Sequence, residues 1–157
     1  MPGPIHTVFG RGLVPELRTF VHRPYLVVSM AGLWPRFVGS FDGGLAGPWL
    51  VDTLERADLD LRVDALPTIE AVVGLGGGQA LDVAKYVAWK RRLPLFQVPT
   101  ALSVNAAWGQ RAAVRVDGVV RYVGYAVPEA VYVDYDLIRS APADINRSGV
   151  GDILCYW

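Results

Sequence analysis

The stretch EAVVGLGGGQALDVAKYVAWKRR (Glu70–Arg92) decides the fold. It opens on a short apolar run, passes through three consecutive glycines and continues into a segment with helical periodicity. Ala80, Leu81, Ala84, Val87 and Ala88 fall on one helical face, while Lys85, Lys90 and Arg92 are expected to stay in water. Asp82 in the first turn and Lys90–Arg92 in the last each match the sign of the helix dipole. LPLFQVPT (Leu93–Thr100) follows as another apolar strand. Strand, glycine loop, helix and strand make a βαβ unit, which requires parallel pairing and a right-handed crossover.

The glycines raise a chemical question. The dinucleotide fingerprint G-x-G-x-x-G is incomplete: Gly74 and Gly76 fit, Gln79 stands in the third glycine's place, and no acidic residue follows about 20 positions on. Gly76, Gly77 and Gly78 nonetheless let a ligand approach the main chain. At a helix start the unpaired N–H groups and the positive dipole end favour a phosphate. The same residues also fit a tight strand-to-helix turn that holds nothing, and that alternative stays open. Ligands of open parallel sheets bind beyond the carboxyl ends of the strands. VPTALSVN (Val98–Asn105) leaves the next strand at that edge, so Thr100 and Ser103 are candidate hydroxyl donors to a cofactor.

The rest of the chain agrees with an α/β fold. Its 157 residues suffice for one main domain, and a hydrophobic content of 52% suits a sheet covered on both faces. Fifteen basic residues balance fifteen acidic ones, which argues against a nucleic-acid or anionic-membrane surface. No apolar run reaches the 18 or so residues of a membrane span. MPGPIHTVFGRG at the start lacks a signal-peptide pattern, and the lone Cys155 suits a reducing compartment, so a cytoplasmic location is expected. PYLVVSM (Pro24–Met30) predicts a strand. Residues 1–23 read as irregular, and 31–48 as loop with at most a short helix. WLVDTL (Trp49–Leu54) suits a strand, although helix also fits, and residues 55–66 carry a weak helical pattern. Asp117-Gly118 between alternating apolar runs predicts a β-hairpin over residues 113–125. AVYVDYDLI (Ala130–Ile138) reads as one more strand, with Asp134 and Asp136 as strand-end and turn residues. The final VGDILCYW (Val150–Trp157) reads as the opening of a helix.

Four ordered motifs together carry a resemblance. GLGGGQALDVAK (Gly74–Lys85), a strand ending in VPTALS (Val98–Ser103), PEAVYVDYDLIRSAP (Pro128–Pro142) and SGVGDIL (Ser148–Leu154) look like the iron-containing alcohol dehydrogenase superfamily. The similarity is to its glycerol and glycerol-1-phosphate dehydrogenase branch, with dehydroquinate synthase as a more distant relative. It holds from about Glu70 onward.

The resemblance implies a Rossmann-like nucleotide domain, mostly parallel with one hairpin, followed by an all-helical domain. In those terms residues 1–145 would be the NAD(P)-binding unit and 146–157 the start of the helical metal-binding unit, whose remainder is missing. It implies NAD or NADP together with zinc or iron in the cleft between the two. Gly76, Gly77, Gly78, Gln79 and Asp82 would line the cofactor phosphates and ribose, and Thr100 and Ser103 the nicotinamide end. Asn105 would meet the substrate where relatives often carry aspartate. Asp152 would ligate the metal and face the substrate, whereas His6 and His22 have no such role. The implied reaction is hydride transfer between the nicotinamide and the CH–OH group of a polyol, alcohol or glycerol phosphate. With only the cofactor half present, weak nucleotide binding and no turnover are expected. A dehydroquinate-synthase-like cyclase and a non-catalytic nucleotide-binding module are the alternatives. Small-molecule substrates are the expected partners, and a homo-oligomer is compatible with everything above.

Overall fold

The computed structural model describes residues 4–17, 23–41 and 43–154, without the side chains of Asp152 and Ile153. Six parallel strands form one sheet in the order β1-β8-β5-β4-β2-β3. They are β1 (Thr7–Gly10), β2 (Tyr25–Ser29), β3 (Leu45–Leu50), β4 (Ala71–Gly76), β5 (Leu95–Pro99) and β8 (Ala130–Asp134). Strands β6 (Ala112–Val116) and β7 (Val119–Val123) make a separate antiparallel hairpin. The helices are α1 (Arg56–Asp64), α2 (Gly78–Arg91), α3 (Tyr135–Ser140) and α4 (Ala143–Leu154). This is the α/β arrangement expected from the βαβ unit and the Rossmann-like one implied by the resemblance.

Strands β2, β4, β5 and β8 are buried along their whole length. That is why they read as continuous apolar runs: each face of the sheet has its own cover. On one face Leu26, Val28, Val72 and Leu95 pack with Leu59, Val63, Val83, Val87 and Val114, from α1, α2 and the hairpin. On the other, Tyr25, Val27, Val73, Leu75 and Val98 meet Val14, Leu17, Trp34, Phe37 and Phe41. Among the described residues, the second cover includes the short 3₁₀ turns Val14–Glu16, Trp34–Arg36 and Val38–Ser40.

Four expectations change. Residues 1–23 are not wholly irregular, because Thr7–Gly10 forms an edge strand in register with Thr7 opposite Val131. The edge strand on the other side begins at Leu45, inside the stretch read as loop, and ends at Leu50 rather than Leu54. The run Ala130–Ile138 divides at Asp134, whose carboxylate accepts from the Asp136 amide (3.0 Å) and from the Leu13 amide (2.8 Å). That cap converts the second half of the run into α3. Finally, Lys85 is buried, its side chain 2% exposed, rather than solvated. Residues 150–154 are helical as expected, within a helix described from Ala143 to Leu154 that runs across the anticipated 145/146 division. The hairpin turns at Asp117 (φ 53°) and Gly118 (φ 75°), two successive left-handed residues that match the twist of its strands.

The α1–α2 contact includes a buried phenol. The Tyr86 hydroxyl donates to Asp60 Oδ1 (2.7 Å), and Asp60 also pairs with Lys90 (2.7 Å). Burial, then the hydrogen bond to Asp60, pushes the Tyr86 phenol up from 10.0 to about 12. Between those two values the unfolded chain has released the proton and the native chain still holds it, so stability falls as pH rises through that window. Tyr86→Phe removes this component. The stability gap between wild type and Tyr86→Phe, read from urea melts, shrinks as pH rises from below 10 toward 12.

Candidate functional site

The carboxyl ends of β2, β3, β4 and β5 lie at one edge of the sheet, and the glycine loop sits among them. Gly76 closes β4, and its carbonyl accepts from the Thr100 amide (3.0 Å), tying the loop to the segment that leaves β5. Its φ of 156° places Gly76 where side chains are disfavoured, and a Cβ there would come within 2.8 Å of Ala80 Cβ. A Cβ on Gly78 would meet Val104 at 2.9 Å. Glycine is therefore required by the backbone at Gly76, whereas a side chain at Gly78 has only to displace the exposed Val104.

Gly77 is different. It is the N-cap of α2, with φ −82° and ψ −172°, extended backbone open to any residue. A Cβ added to it would meet nothing within 4 Å. No side chain caps the helix there, so the first-turn amides have no side-chain acceptor from the cap residue. The backbone does not need glycine at this position, and the space in front of it is open.

Three depressions surround the loop. One of about 250 Å³ is lined by Gly77, Thr100, Ser103, Met30 and Leu33 among others. A second, about 480 Å³, includes Met30, Asp52, Thr53, Glu55, Gln79 and Arg115. The third, about 620 Å³, lies between α2, the 3₁₀ turn Asn105–Ala107 and the hairpin; Asp82, Lys85, Asn105, Gln110, Arg111 and Tyr122 line it. The candidate residues whose side chains are described divide among these depressions. Gly77, Thr100 and Ser103 share the first depression, Gln79 faces the second, and Asp82 and Asn105 share the third. Helix α4 closes over the segment after β5. Asn146 accepts from the Leu102 amide (2.9 Å) and donates to the Ile138 carbonyl (2.7 Å), while Gly149 allows the helix backbone to approach the Leu102 carbonyl.

Asp82 and Lys85 form the charged floor of the third depression. Lys85 Nζ lies 2.6 Å from Asp82 Oδ1 and donates to the Arg111 carbonyl (2.8 Å), pinning the start of the hairpin segment to α2. Burial pushes the Asp82 carboxyl above its ordinary value, against the opposing pull of Lys85. The sequence did hold a signal for this pair: Asp82 and Lys85 stand three apart on a helix and so can touch.

Among the described residues, no three His, Cys, Asp or Glu side chains converge to hold a metal. The Asp152 side chain, His22 and Cys155 lie outside the described residues. His6 is exposed, away from the loop on the approach to β1.

A glycine loop at the carboxyl edge of a parallel sheet, opening a helix without a side-chain cap, belongs to an α/β, Rossmann-like architecture. The iron-containing alcohol dehydrogenase family matches residues 49–142, more than half of the chain, and the chain belongs to that family. It is 35% identical over 162 residues to a glycerol-1-phosphate dehydrogenase [NAD(P)+] of Thermofilum pendens, an alignment covering 96% of this chain and 47% of that one. A second such dehydrogenase, from Metallosphaera sedula, is 28% identical over 92% of this chain and 45% of its own. The crystal structure of a probable glycerol dehydrogenase from Sinorhizobium meliloti 1021 superposes with a TM-score of 0.90 at 23% identity, over 100% of this chain and 46% of that chain. The chain spans about half the length of the curated relatives it matches.

Proposed function

We propose that the chain is the dinucleotide-holding unit of an NAD(P)-dependent oxidoreductase acting on the CH–OH group of a polyol, alcohol or glycerol phosphate. The observation that carries this reading is Gly77, a glycine the fold does not require, with open space and uncapped helix amides before it. A pyrophosphate there would accept from those amides, each such hydrogen bond being worth about 1.5–3 kcal/mol. The names of the relatives, glycerol-1-phosphate dehydrogenases acting with NAD(P)+, agree with it.

A bound nicotinamide would supply the hydride acceptor. This chain's residues would bind and orient. The amides of Gly77, Gly78 and Gln79 would hold the phosphates, and Thr100 and Ser103 would offer hydroxyls to the nicotinamide end. Asn105, which both donates and accepts hydrogen bonds, would face a hydroxylated substrate in the 620 Å³ depression beside Gln110 and Arg111. Asp82 would stand near the cofactor ribose, held in place by Lys85. For a zinc or iron ion the described residues provide no complete donor set. We keep Asp152 as one candidate ligand, near the substrate, within the second unit proposed at 146–157, and route no step through a metal. No described helix is long and apolar enough to cross a membrane, which agrees with the proposed cytoplasmic location.

The test is a titration of the chain with NADH and NADPH, following nicotinamide fluorescence. Saturable binding that ADP-ribose displaces is the expected result. No saturable response to either dinucleotide overturns the reading.

A further inference from the structure

The 480 Å³ depression beside Gln79 sits at the carboxyl ends of β2 and β3, where a dinucleotide held on the loop would place its adenosine ribose. In such folds a free carboxylate there accepts from the ribose 2′-hydroxyl, whereas an arginine receives a 2′-phosphate. Both carboxylates lining this depression are already engaged. Asp52 pairs with Arg62 (2.7 Å), and Glu55 Oε1 accepts from the Gly118 amide (3.0 Å). Met30, the residue after β2, carries no charge.

Arg115 is in the opposite state. Its backbone is fixed, because its amide donates to the Leu54 carbonyl (2.8 Å) and it bridges to Glu55. Arg115 lines the depression, and its side chain makes no hydrogen bond or ion pair among the described residues. Arg62 neutralises Asp52, and Glu55 is held by a backbone amide, so Arg115 is the lining group left to receive an anionic guest. A guanidinium matches a phosphate's geometry better than an ammonium does.

Resting on the dinucleotide reading above, we propose that this depression receives a ribose 2′-phosphate, so that the coenzyme is NADP in preference to NAD and Arg115 determines the choice. The test is calorimetric titration of the whole chain with NADPH, NADH, adenosine 2′,5′-bisphosphate and AMP, for wild type, Arg115→Gln and Arg115→Lys. Wild type is expected to prefer the 2′-phosphorylated member of each pair by about tenfold or more, the worth of one charge-assisted hydrogen bond. Salt should narrow that preference. Arg115→Gln should abolish it with NADH affinity unchanged, and Arg115→Lys should keep part of it. Arg115 is exposed, so circular dichroism spectra of all three chains should coincide. Equal or NADH-favouring affinity in wild type overturns the proposal while leaving the dinucleotide reading intact. So does an Arg115→Gln chain that weakens for both coenzymes alike. Binding of neither coenzyme overturns both.

Discussion

A Gly77→Asp chain melts at or above the wild-type temperature and loses at least about tenfold in affinity for NADH and NADPH. The two effects have opposite signs because they draw on the same amides. Gly77 occupies the N-cap of α2 in extended backbone that aspartate adopts without strain, and the added Cβ meets nothing. A carboxylate there can accept from the first-turn N–H groups, which improves on glycine by a few tenths of a kcal/mol. The negative charge at the helix start adds roughly 0.3–1 kcal/mol. In the same place the carboxylate fills the phosphate's space, takes its donors and repels its charge. A thermal melt and a fluorescence titration on one preparation measure both. If the loop were only a tight turn, the melt would respond and no ligand affinity would exist to lose. If it holds a dinucleotide elsewhere, affinity survives the change. Gly76→Ala serves as the contrast, because its methyl is forced against Ala80 and lowers stability directly.

The parts of the fold that were legible in the sequence are those determined locally. Glu70–Arg92 announces strand, turn and helix because an apolar run, three glycines and a helical period follow one another, and Asp117-Gly118 announces its hairpin by turn chemistry. What escaped was tertiary. Trp34, Phe37 and Phe41 help cover one face of the sheet from a stretch rich in glycine and proline, where no periodicity reveals that they face inward. The four residues Thr7–Gly10 become a strand only because β8 is there to pair with. Tyr135–Ser140 reads as strand until Asp134 is seen capping it. The candidate site divides in the same way. Gly77, Gln79 and Asp82 could be singled out because they adjoin the glycines in sequence, and Thr100 and Ser103 because the next strand ends at the same edge of the sheet. Arg111 and Arg115 arrive from the hairpin segment, which reaches the site only by packing against α2 and the segment after β3. Lys85 was misplaced because a lysine with a partner three residues away can be buried, whereas hydropathy alone assigns it to water.

That lysine carries the second large effect. Lys85→Met destabilises the chain by about 3 kcal/mol, the lower part of the range for breaking a buried ion pair. The methionine fills much of the lysine stem's volume, so the loss comes from charge rather than from a cavity. Asp82, largely shielded from water, loses its cation and keeps the Ala113 amide, and the Arg111 carbonyl loses its donor, so the wall of the 620 Å³ depression loosens with it. The dependence on pH identifies the cause. Burial already raises the Asp82 carboxyl above 3.8 with Lys85 opposing, and removing Lys85 raises it further. In the single variant the native state then holds this proton more tightly than the unfolded chain does. Its stability relative to wild type is best below 3.8 and declines as pH rises through the raised native value. The double variant Asp82→Asn, Lys85→Met has no charge to desolvate. It recovers most of the loss at neutral pH and shows no decline in that window. Urea melts of the three chains across the acid range decide the matter: a deficit in Lys85→Met that is flat with pH and persists in the double variant would mean that the lysine serves only as packing and a hydrogen-bond donor to Arg111.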